Sequence, residues 1–184
     1  MTQRVVITGM GIISPLGNDV DTFWNNLLQG KCGIGPIDRF DPAAFKVKLA
    51  AQVRDFDPLQ YMDKMEAAHA DLYSQYAMAA ACQAMAQSGV QGTVAPERIG
   101  VYMGTGIGGI GTFLTEHNKL RDKGPRRVSP YFIPMMIANM ASGLIAIRFG
   151  CKGPSLPVVT ACATSTNTIG EAFHAIRFGY ADAI

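Results

Sequence analysis

Short apolar runs rich in β-branched residues alternate along this chain with longer segments of helical composition. The runs occupy residues 4–8, 99–103 and 157–160, and glycine or alanine follows each of them. Such runs predict buried strands, and strands that alternate with helices are typical of a layered α/β domain. Helices are predicted over residues 21–28, 63–88, 112–123, 133–148 and 164–177, and a surface excursion over residues 34–58.

The composition excludes several classes of protein. Of the 184 residues, 48% are hydrophobic and 16% are charged, which is typical of a globular domain with a large core. A net charge of +2 is too small to indicate a nucleic-acid or anionic-membrane partner. No run reaches the ~18 uninterrupted apolar residues of a membrane span. Residues 1–11 lack the long apolar region and cleavage site of a signal peptide.

The four cysteines are Cys32, Cys82, Cys151 and Cys162, and they form no C-x-x-C pair. The sequence therefore predicts no metal site. Unpaired thiols fit a reducing, cytoplasmic location, in which we expect most of them to be buried and inert.

The last residues predict a turn that leads into another apolar strand, beginning near Ala183. We expect this strand to lie beside residues 158–160 in the complete fold. Because a core strand at a chain end leaves its neighbour with an unpaired edge, we expect the sequence to be truncated here.

Cys162 lies where a predicted strand ends and a helix begins, between Ala161 and Ala163. A strand–nucleophile–helix turn presents its nucleophile at a helix N-terminus. The unpaired N–H groups and the helix dipole favour a thiolate there, and one N–H can face the oxyanion formed when a thioester is attacked. The alternative is a buried structural cysteine before an ordinary helix, and the cysteine alone does not exclude it.

Four segments of the sequence carry a family resemblance. They are an opening strand and loop, a glycine loop, a segment rich in arginine and proline, and the cysteine motif, at residues 5–9 with 14–17, 104–109, 124–134 and 160–165. In this order and spacing they resemble the elongating β-ketoacyl-acyl carrier protein synthases of type II, over essentially the whole chain. The initiating synthases and the thiolases place their cysteine much nearer the N-terminus.

The resemblance implies a thiolase-like fold, a layered α-β-α-β-α architecture of two similar halves. Residues 1–184 would then be part of the N-terminal half, with the C-terminal half absent. The resemblance also implies that Cys162 takes an acyl group from acyl carrier protein. Malonyl-acyl carrier protein then loses carbon dioxide and attacks the thioester, which gives a longer 3-oxoacyl chain. No cofactor is implied, and the two histidines and the lysine that complete the family's site lie later in the chain.

The histidines of this sequence match none of those catalytic positions. We expect His69, His117 and His174 to be ordinary surface or packing residues.

Residues 104–109 form a glycine loop between a predicted strand and a predicted helix. A nucleotide-binding loop has this setting, but this loop lies outside a first βαβ unit and lacks the acidic residue that should follow. The resemblance instead places Ile107 at the acyl pocket as a movable gate. It places Phe132 and Ile133 at the pocket of the partner subunit in a dimer. Plain core packing is the alternative for all three residues.

A local basic cluster consists of Arg121, Lys123, Arg126 and Arg127. Because carrier proteins are acidic, a basic patch steers them toward the surface that binds them. The resemblance assigns this role to Arg126 and Arg127, with Lys64 as a further docking residue. The family's other basic residues on the long helix are replaced here by Met65, Ala68 and His69. A solvated loop is the alternative for the cluster.

These observations predict an acyltransferase of fatty-acid elongation, active as a cytoplasmic homodimer with acyl- and malonyl-loaded carrier protein and without nucleic-acid or membrane partners. The 184 residues alone are expected to be inactive. Two alternatives stay open. One is a ketosynthase of polyketide assembly, and the other is a non-catalytic chain that serves only as an acyl acceptor or a dimerisation module.

Overall fold

The computed structural model describes residues 3–184 and contains both helices and short strands. The helices are α1 (Val20–Leu28), α2 (Lys64–Ala68), α3 (Leu72–Ser88), α4 (Ile110–Lys123), α5 (Phe132–Met136), α6 (Met140–Phe149) and α7 (Thr164–Arg177). The strands are β1 (Ile34–Pro36), β2 (Leu49–Ala51), β3 (Val101–Tyr102) and β4 (Ser155–Leu156). Single 3₁₀ turns cover Pro58–Gln60, Pro96–Arg98, Pro125–Arg127 and Ala161–Ala163.

The hydrophobic core lies where α3 and α6 pack against each other and against β3. Met78 of α3, Val101 of β3 and Ile145 of α6 are buried there, together with Met62. Burying a side chain of this size stabilises the folded state by roughly 1.5–3 kcal/mol. The predicted layered α/β class is confirmed by this packing of helices on a parallel strand pair.

Strand β3 is the centre of the parallel sheet. Residue Val101 pairs with Ser155 of β4 on one side, and Ile99 forms a parallel bridge with Ala183 on the other. The guanidinium of Arg98 holds the Asp182 carboxylate at 2.7 Å, which fixes the last residues beside β3. The prediction that the strand near Ala183 would lie beside residues 158–160 is therefore wrong, because Ala183 lies beside Ile99.

The third predicted strand, residues 157–160, is displaced toward the N-terminus in the structure. Pairing with β3 ends where the Met103 N–H donates to the Leu156 carbonyl. Beyond that bond the backbone turns away, and the Thr160 N–H donates to the hydroxyl of Thr164. The strand is therefore Ser155–Leu156, and residues 157–160 form the approach to the turn that carries Cys162.

The first predicted strand, residues 4–8, does not form. No strand lies beside this segment within residues 3–184, and Ile7 is 80% exposed. The backbone that follows is held by side chains of α3. The Met10 N–H donates to Gln87, and the Ile12 N–H donates to Gln83. A β-branched run without a partner strand stays extended and unpaired.

Two predicted helices are interrupted. The helix predicted over residues 63–88 is divided into α2 and α3, because Asp71 accepts from the Tyr73 N–H and starts a new helix. The helix predicted over residues 133–148 is divided into α5 and α6 at Ile137, whose carbonyl accepts from the Tyr73 hydroxyl at 2.6 Å.

Other element predictions are confirmed. The helices predicted at residues 21–28, 112–123 and 164–177 agree with α1, α4 and α7 to within two residues. The predicted excursion over residues 34–58 is mostly exposed, and the prediction missed the short antiparallel hairpin of β1 and β2 within it.

Candidate active site

Cys162 lies on a tight turn directly before α7. The turn is the 3₁₀ segment Ala161–Ala163, and the cysteine side chain is exposed. Ala161 adopts a left-handed conformation with φ of 50°. For a residue with a Cβ this conformation costs about 1–2 kcal/mol. Strain of this kind persists only where the surroundings impose it, and it is often found beside functional groups.

Two side chains of α7, those of Thr164 and Asn167, bond back to Thr160 at the start of the turn. The Thr160 N–H donates to Thr164 Oγ1 at 2.9 Å, and Asn167 Nδ2 donates to Thr160 Oγ1 at 2.8 Å. Thr168 Oγ1 donates to the Thr164 carbonyl at 2.7 Å. The sequence analysis missed these supports, although threonine and asparagine beside a predicted helix start are typical of such local bonds.

The turn before α7 leaves one backbone donor open. Ala163 precedes the helix and gives it no side-chain cap. The Cys162 N–H has no hydrogen-bond partner within residues 3–184. Unfilled N–H groups at a helix N-terminus bind an anion. A thiolate, or the oxyanion of an attacked thioester, is an anion of the kind that fits this position.

The glycine loop, residues 104–109, packs on the first residues of α7, directly after this turn. A Cβ built at Gly104 would overlap Thr164 Cγ2 and would lie 2.6 Å from Thr168 Oγ1. Only glycine lets the loop approach α7 this closely. The structure therefore brings together the glycine loop and the cysteine motif, which the sequence separates by more than fifty residues.

The other end of the glycine loop contacts α5. The Gly109 N–H donates to the Met136 carbonyl at 2.8 Å. Between the two ends, Ile107 is 69% exposed. On α5, the Phe132 ring lies 6.2 Å from the Phe113 ring, and Ile133 is 52% exposed. The three predicted acyl-pocket residues thus lie on two segments in contact, while their role in a pocket stays a prediction.

The predicted docking residues are exposed. Arg126 and Arg127 lie on the 3₁₀ turn after α4, and neither has an ion-pair partner within residues 3–184. Arg121, in contrast, pairs with Asp122 at 2.7 Å. Lys64 is exposed as the first residue of α2. The role of these residues in docking stays a prediction.

A buried carboxylate anchors the segment that follows the two arginines. Glu116 of α4, whose side chain is only 6% exposed, accepts from Lys119 Nζ at 2.6 Å and from the Ser129 N–H at 2.7 Å. The hydrogen bonds from Lys119 and then from Ser129 lower the pKa of the Glu116 carboxyl. This anchor fixes the backbone between Arg127 and α5.

Two of the other three cysteines, Cys82 and Cys151, are less exposed than Cys162. Burial raises the pKa of both the Cys82 and the Cys151 thiols. A raised pKa keeps these two thiols protonated and unreactive at neutral pH. Cys82 and Cys151 are only half-buried and Cys32 is exposed, so the expectation that most thiols would be buried is wrong.

Each histidine lies against an aromatic ring. His69 stacks on Tyr131 with ring centroids 3.7 Å apart. His117 lies 6.2 Å from Phe113, and His174 of α7 lies 5.9 Å from Phe178. His69 is a half-buried packing residue, whereas His117 and His174 are exposed, so the three have the surface or packing roles expected from the sequence.

The helices of the structure were compared with the requirements of a membrane-spanning segment. Within residues 3–184, none of the helices combines the length and the apolar character that crossing a bilayer requires.

An α/β domain with a cysteine on a strained turn at an open helix N-terminus belongs to the class that presents its nucleophile on an elbow. The model of the β-ketoacyl synthase N-terminal domain matches residues 2–184. The chain therefore belongs to the β-ketoacyl synthase family, and its fold is the N-terminal part of the thiolase-like fold.

Two relatives carry the name 3-oxoacyl-[acyl-carrier-protein] synthase 2. The protein of Staphylococcus aureus strain N315 is 50% identical over 184 residues, which are 99% of this chain and 44% of the relative. The protein of Synechocystis sp. is 46% identical over 183 residues, which are 99% of this chain and 44% of that relative. The chain thus spans less than half the length of these relatives.

A solved structure extends the comparison to polyketide synthases. It is described as a type II polyketide synthase acyl-carrier protein in complex with its ketosynthase bound to the hexaketide. It matches with a TM-score of 0.84 and 26% identity, over 98% of this chain and 49% of that chain.

Proposed function

We propose that this chain provides the acyl-accepting cysteine of a 3-oxoacyl-acyl carrier protein synthase of fatty-acid elongation. The observation that carries the proposal is the position of Cys162, exposed on a strained turn with an unfilled backbone N–H. The names of the relatives at 50% and 46% identity support the choice of substrate class.

The proposed reaction has two stages. The Cys162 thiolate attacks the carbonyl carbon of an acyl-carrier thioester, and the carrier leaves as its thiolate, which takes up a proton. Malonyl-carrier protein then loses carbon dioxide, and the electron pair of the broken C–C bond forms a carbanion. The carbanion attacks the Cys162 thioester, a C–C bond forms, and the C–S bond breaks to restore the cysteine thiolate. We propose that the open Cys162 N–H donates to the oxyanion of each attack.

Decarboxylation needs further donors to stabilise the enolate. The three histidines of the chain pack on aromatic rings, and His174 lies about 15 Å along α7 from the helix start, by the rise per residue. We propose that the donors come from the part of the whole protein that the relatives have in addition to this region.

The surroundings of Cys162 suggest how the substrate is admitted. We propose that Ile107 gates the acyl chain and that Phe132 and Ile133 line the pocket of the partner subunit in a homodimer. Ile107 and Ile133 are exposed and Phe132 is half-buried, and the glycine loop contacts α5, which carries Phe132 and Ile133; these observations support the proposal. We propose that Arg126, Arg127 and Lys64 bind the acidic carrier protein, because their charges are exposed.

The proposal is tested by Cys162→Ser in the whole protein, with Cys32→Ser as the matched exposed-thiol control. Cys162→Ser should lower condensation by at least about a thousandfold, because a serine hydroxyl forms an anion at neutral pH far less readily than a thiol. Mass spectrometry should find acyl adducts on Cys162 of the wild type and of Cys32→Ser. An adduct on Cys32 alone, or full activity of Cys162→Ser, contradicts the proposal. Adducts on Cys162 without any condensation would favour a mere acyl acceptor.

A ketosynthase of polyketide assembly is the second candidate, favoured by the structural match to a polyketide ketosynthase. Both candidates share the chemistry of Cys162. Product analysis separates them: a fatty-acid enzyme elongates saturated primers, whereas a polyketide enzyme extends chains that keep their oxo groups.

A further inference from the structure

Asp71 connects two helices through one carboxylate. Its Oδ1 accepts from the Tyr73 N–H at 3.3 Å, which caps α3. Its Oδ2 accepts from the Thr112 N–H at 2.9 Å and from Thr112 Oγ1 at 2.6 Å, in the first turn of α4. Both oxygens are therefore occupied, and each by a different helix.

The second helix has no cap of its own. Gly109 precedes α4 and has no side chain to offer, so the carboxylate of Asp71 takes the place of a cap. Asp71 lies far from α4 in the sequence, so this contact fixes the position of α4 relative to α3 as well as stabilising its first turn.

The glycine loop ends directly against this carboxylate. A Cβ built at Gly109 would lie 3.0 Å from Asp71 Oδ2 and would overlap the Met135 carbonyl. The Gly109 carbonyl accepts from the Phe113 N–H, which makes it part of the α4 hydrogen-bond pattern. A shift of Asp71 would therefore shift the last residue of the loop.

The loop is thus held at both ends and exposed between them. Gly104 is fixed against the first turn of α7, next to the cysteine turn, and Gly109 is fixed against Asp71 and α5. Ile107, between the two fixed ends, is 69% exposed. The position of Ile107 relative to Cys162 depends on where these ends are anchored.

We propose that Asp71 is a positioning residue for acyl-chain selection. It fixes the α4 end of the glycine loop and therefore the position of Ile107 relative to Cys162. That position sets the range of acyl-chain lengths that the site admits. This inference rests on the proposed function, since it assigns Ile107 to the acyl gate. Asp71 itself does not contact the acyl chain.

The experiment compares Asp71→Asn with Asp19→Asn in the whole protein. Asp19 is a matched control, because it accepts from the N–H and the hydroxyl of Thr22, both at 2.7 Å, within α1 alone. An asparagine has a single carbonyl oxygen, so it cannot cap both helices at position 71. Both variants lose part of a cap, but only Asp71→Asn affects the glycine loop.

Two measurements are made on each variant. Hydrogen exchange at residues 109–113 should be about fivefold faster in Asp71→Asn than in the wild type, and unchanged in Asp19→Asn. The ratio of kcat/KM for long primers to kcat/KM for short primers should change by about threefold in Asp71→Asn alone. Unchanged exchange would overturn the anchor, and changed exchange with an unchanged ratio would overturn the role in chain selection. A wild type that condenses no primer would overturn the proposed function and with it the gate, while the exchange data would still decide whether Asp71 anchors the loop.

Discussion

The helices before the glycine loop and the helix after Cys162 differ in how their N-termini are closed. An aspartate caps each of α1, α2 and α3: Asp19 accepts from the Thr22 N–H, Asp63 from the Glu66 N–H and Asp71 from the Tyr73 N–H. In contrast, α7 follows Ala163 and receives no side-chain cap. A side-chain cap stabilises a helix by about 1 kcal/mol, so α7 lacks a contribution that α1, α2 and α3 have.

The difference follows from where the polar side chains of α7 point. Thr164, the first residue of α7, accepts from the Thr160 N–H, and Asn167 also bonds back to Thr160. These side chains stabilise the turn instead of filling the donors at the helix start. Backbone donors at the start of α1 to α3 are thus filled by an aspartate, whereas the Cys162 N–H before α7 has no partner within residues 3–184.

The largest effect is expected on the reactivity of Cys162 when the uncapped N-terminus of α7 is given a side-chain cap. Ala163→Asp places a carboxylate at the uncapped start of α7, beside Cys162, where it caps the helix and repels a thiolate. We expect alkylation of Cys162 by iodoacetamide to become about tenfold slower, measured by peptide mapping of the whole protein. Ala163→Asn, which adds the same shape without the charge, should slow the reaction much less. Equal rates in wild type and Ala163→Asp would show that the helix start does not act on this thiol.

The arginines of the basic cluster can be compared in the same way, by whether they have an ion-pair partner. Arg126 and Arg127 have no ion-pair partner within residues 3–184, whereas Arg121 already pairs with Asp122. Replacing Arg126 and Arg127 with glutamate should raise KM for acyl-carrier protein about fivefold and spare a short soluble thioester, since only the carrier is acidic. The wild-type KM for the carrier should also rise with salt. Arg121→Glu is the control, and a similar loss with both substrates would mean that the arginines are structural.

A smaller effect is expected at the exposed middle of the glycine loop. Ile107→Phe adds volume beside the proposed pocket, so kcat/KM for the longest primers should fall about threefold while short primers stay active. Ile147→Phe on α6 is the control, because Ile147 is also highly exposed, at 78%, but lies on another element. An unchanged chain-length profile would remove Ile107 from the gate.

Local patterns predicted the helices well because their signals lie within a few residues. Helix α7 agrees with its prediction at both ends, and the turn at Cys162 follows from the small residues around it. The strand predicted over residues 4–8 failed because a strand depends on a partner, which sequence periodicity does not report. The break before α3 follows from a local cap by Asp71 on the Tyr73 N–H, which the prediction missed. The break before α6 lies at Ile137, whose partner Tyr73 is distant in sequence. The contact of Gly104 with α7 was not predicted for the same reason, because the two segments are distant in sequence.

The smallest expected effect is on stability, and it is tested by comparing two ion-paired glutamates, Glu116 and Glu97. Both have lowered pKa values, Glu116 through Lys119 and Ser129, and Glu97 through its own backbone N–H and then Lys152. The Glu116 side chain is 6% exposed, whereas that of Glu97 is 64% exposed. Water weakens an exposed pair, so only Glu116 should contribute measurably to stability.

The sign of its pH dependence follows from the lowered pKa. A carboxyl whose pKa is lower in the folded state stabilises the protein above its ordinary pKa, and that contribution is lost as the pH falls through the folded value. Glu116→Gln should therefore lower the Tm of the whole protein by on the order of 2 °C at pH 7, with the difference shrinking under acid conditions. Glu97→Gln should leave Tm nearly unchanged at both pH values. A Tm deficit of Glu116→Gln that grows as the pH falls would show that the buried carboxylate is not stabilised as an anion, and that the segment before α5 is held in another way.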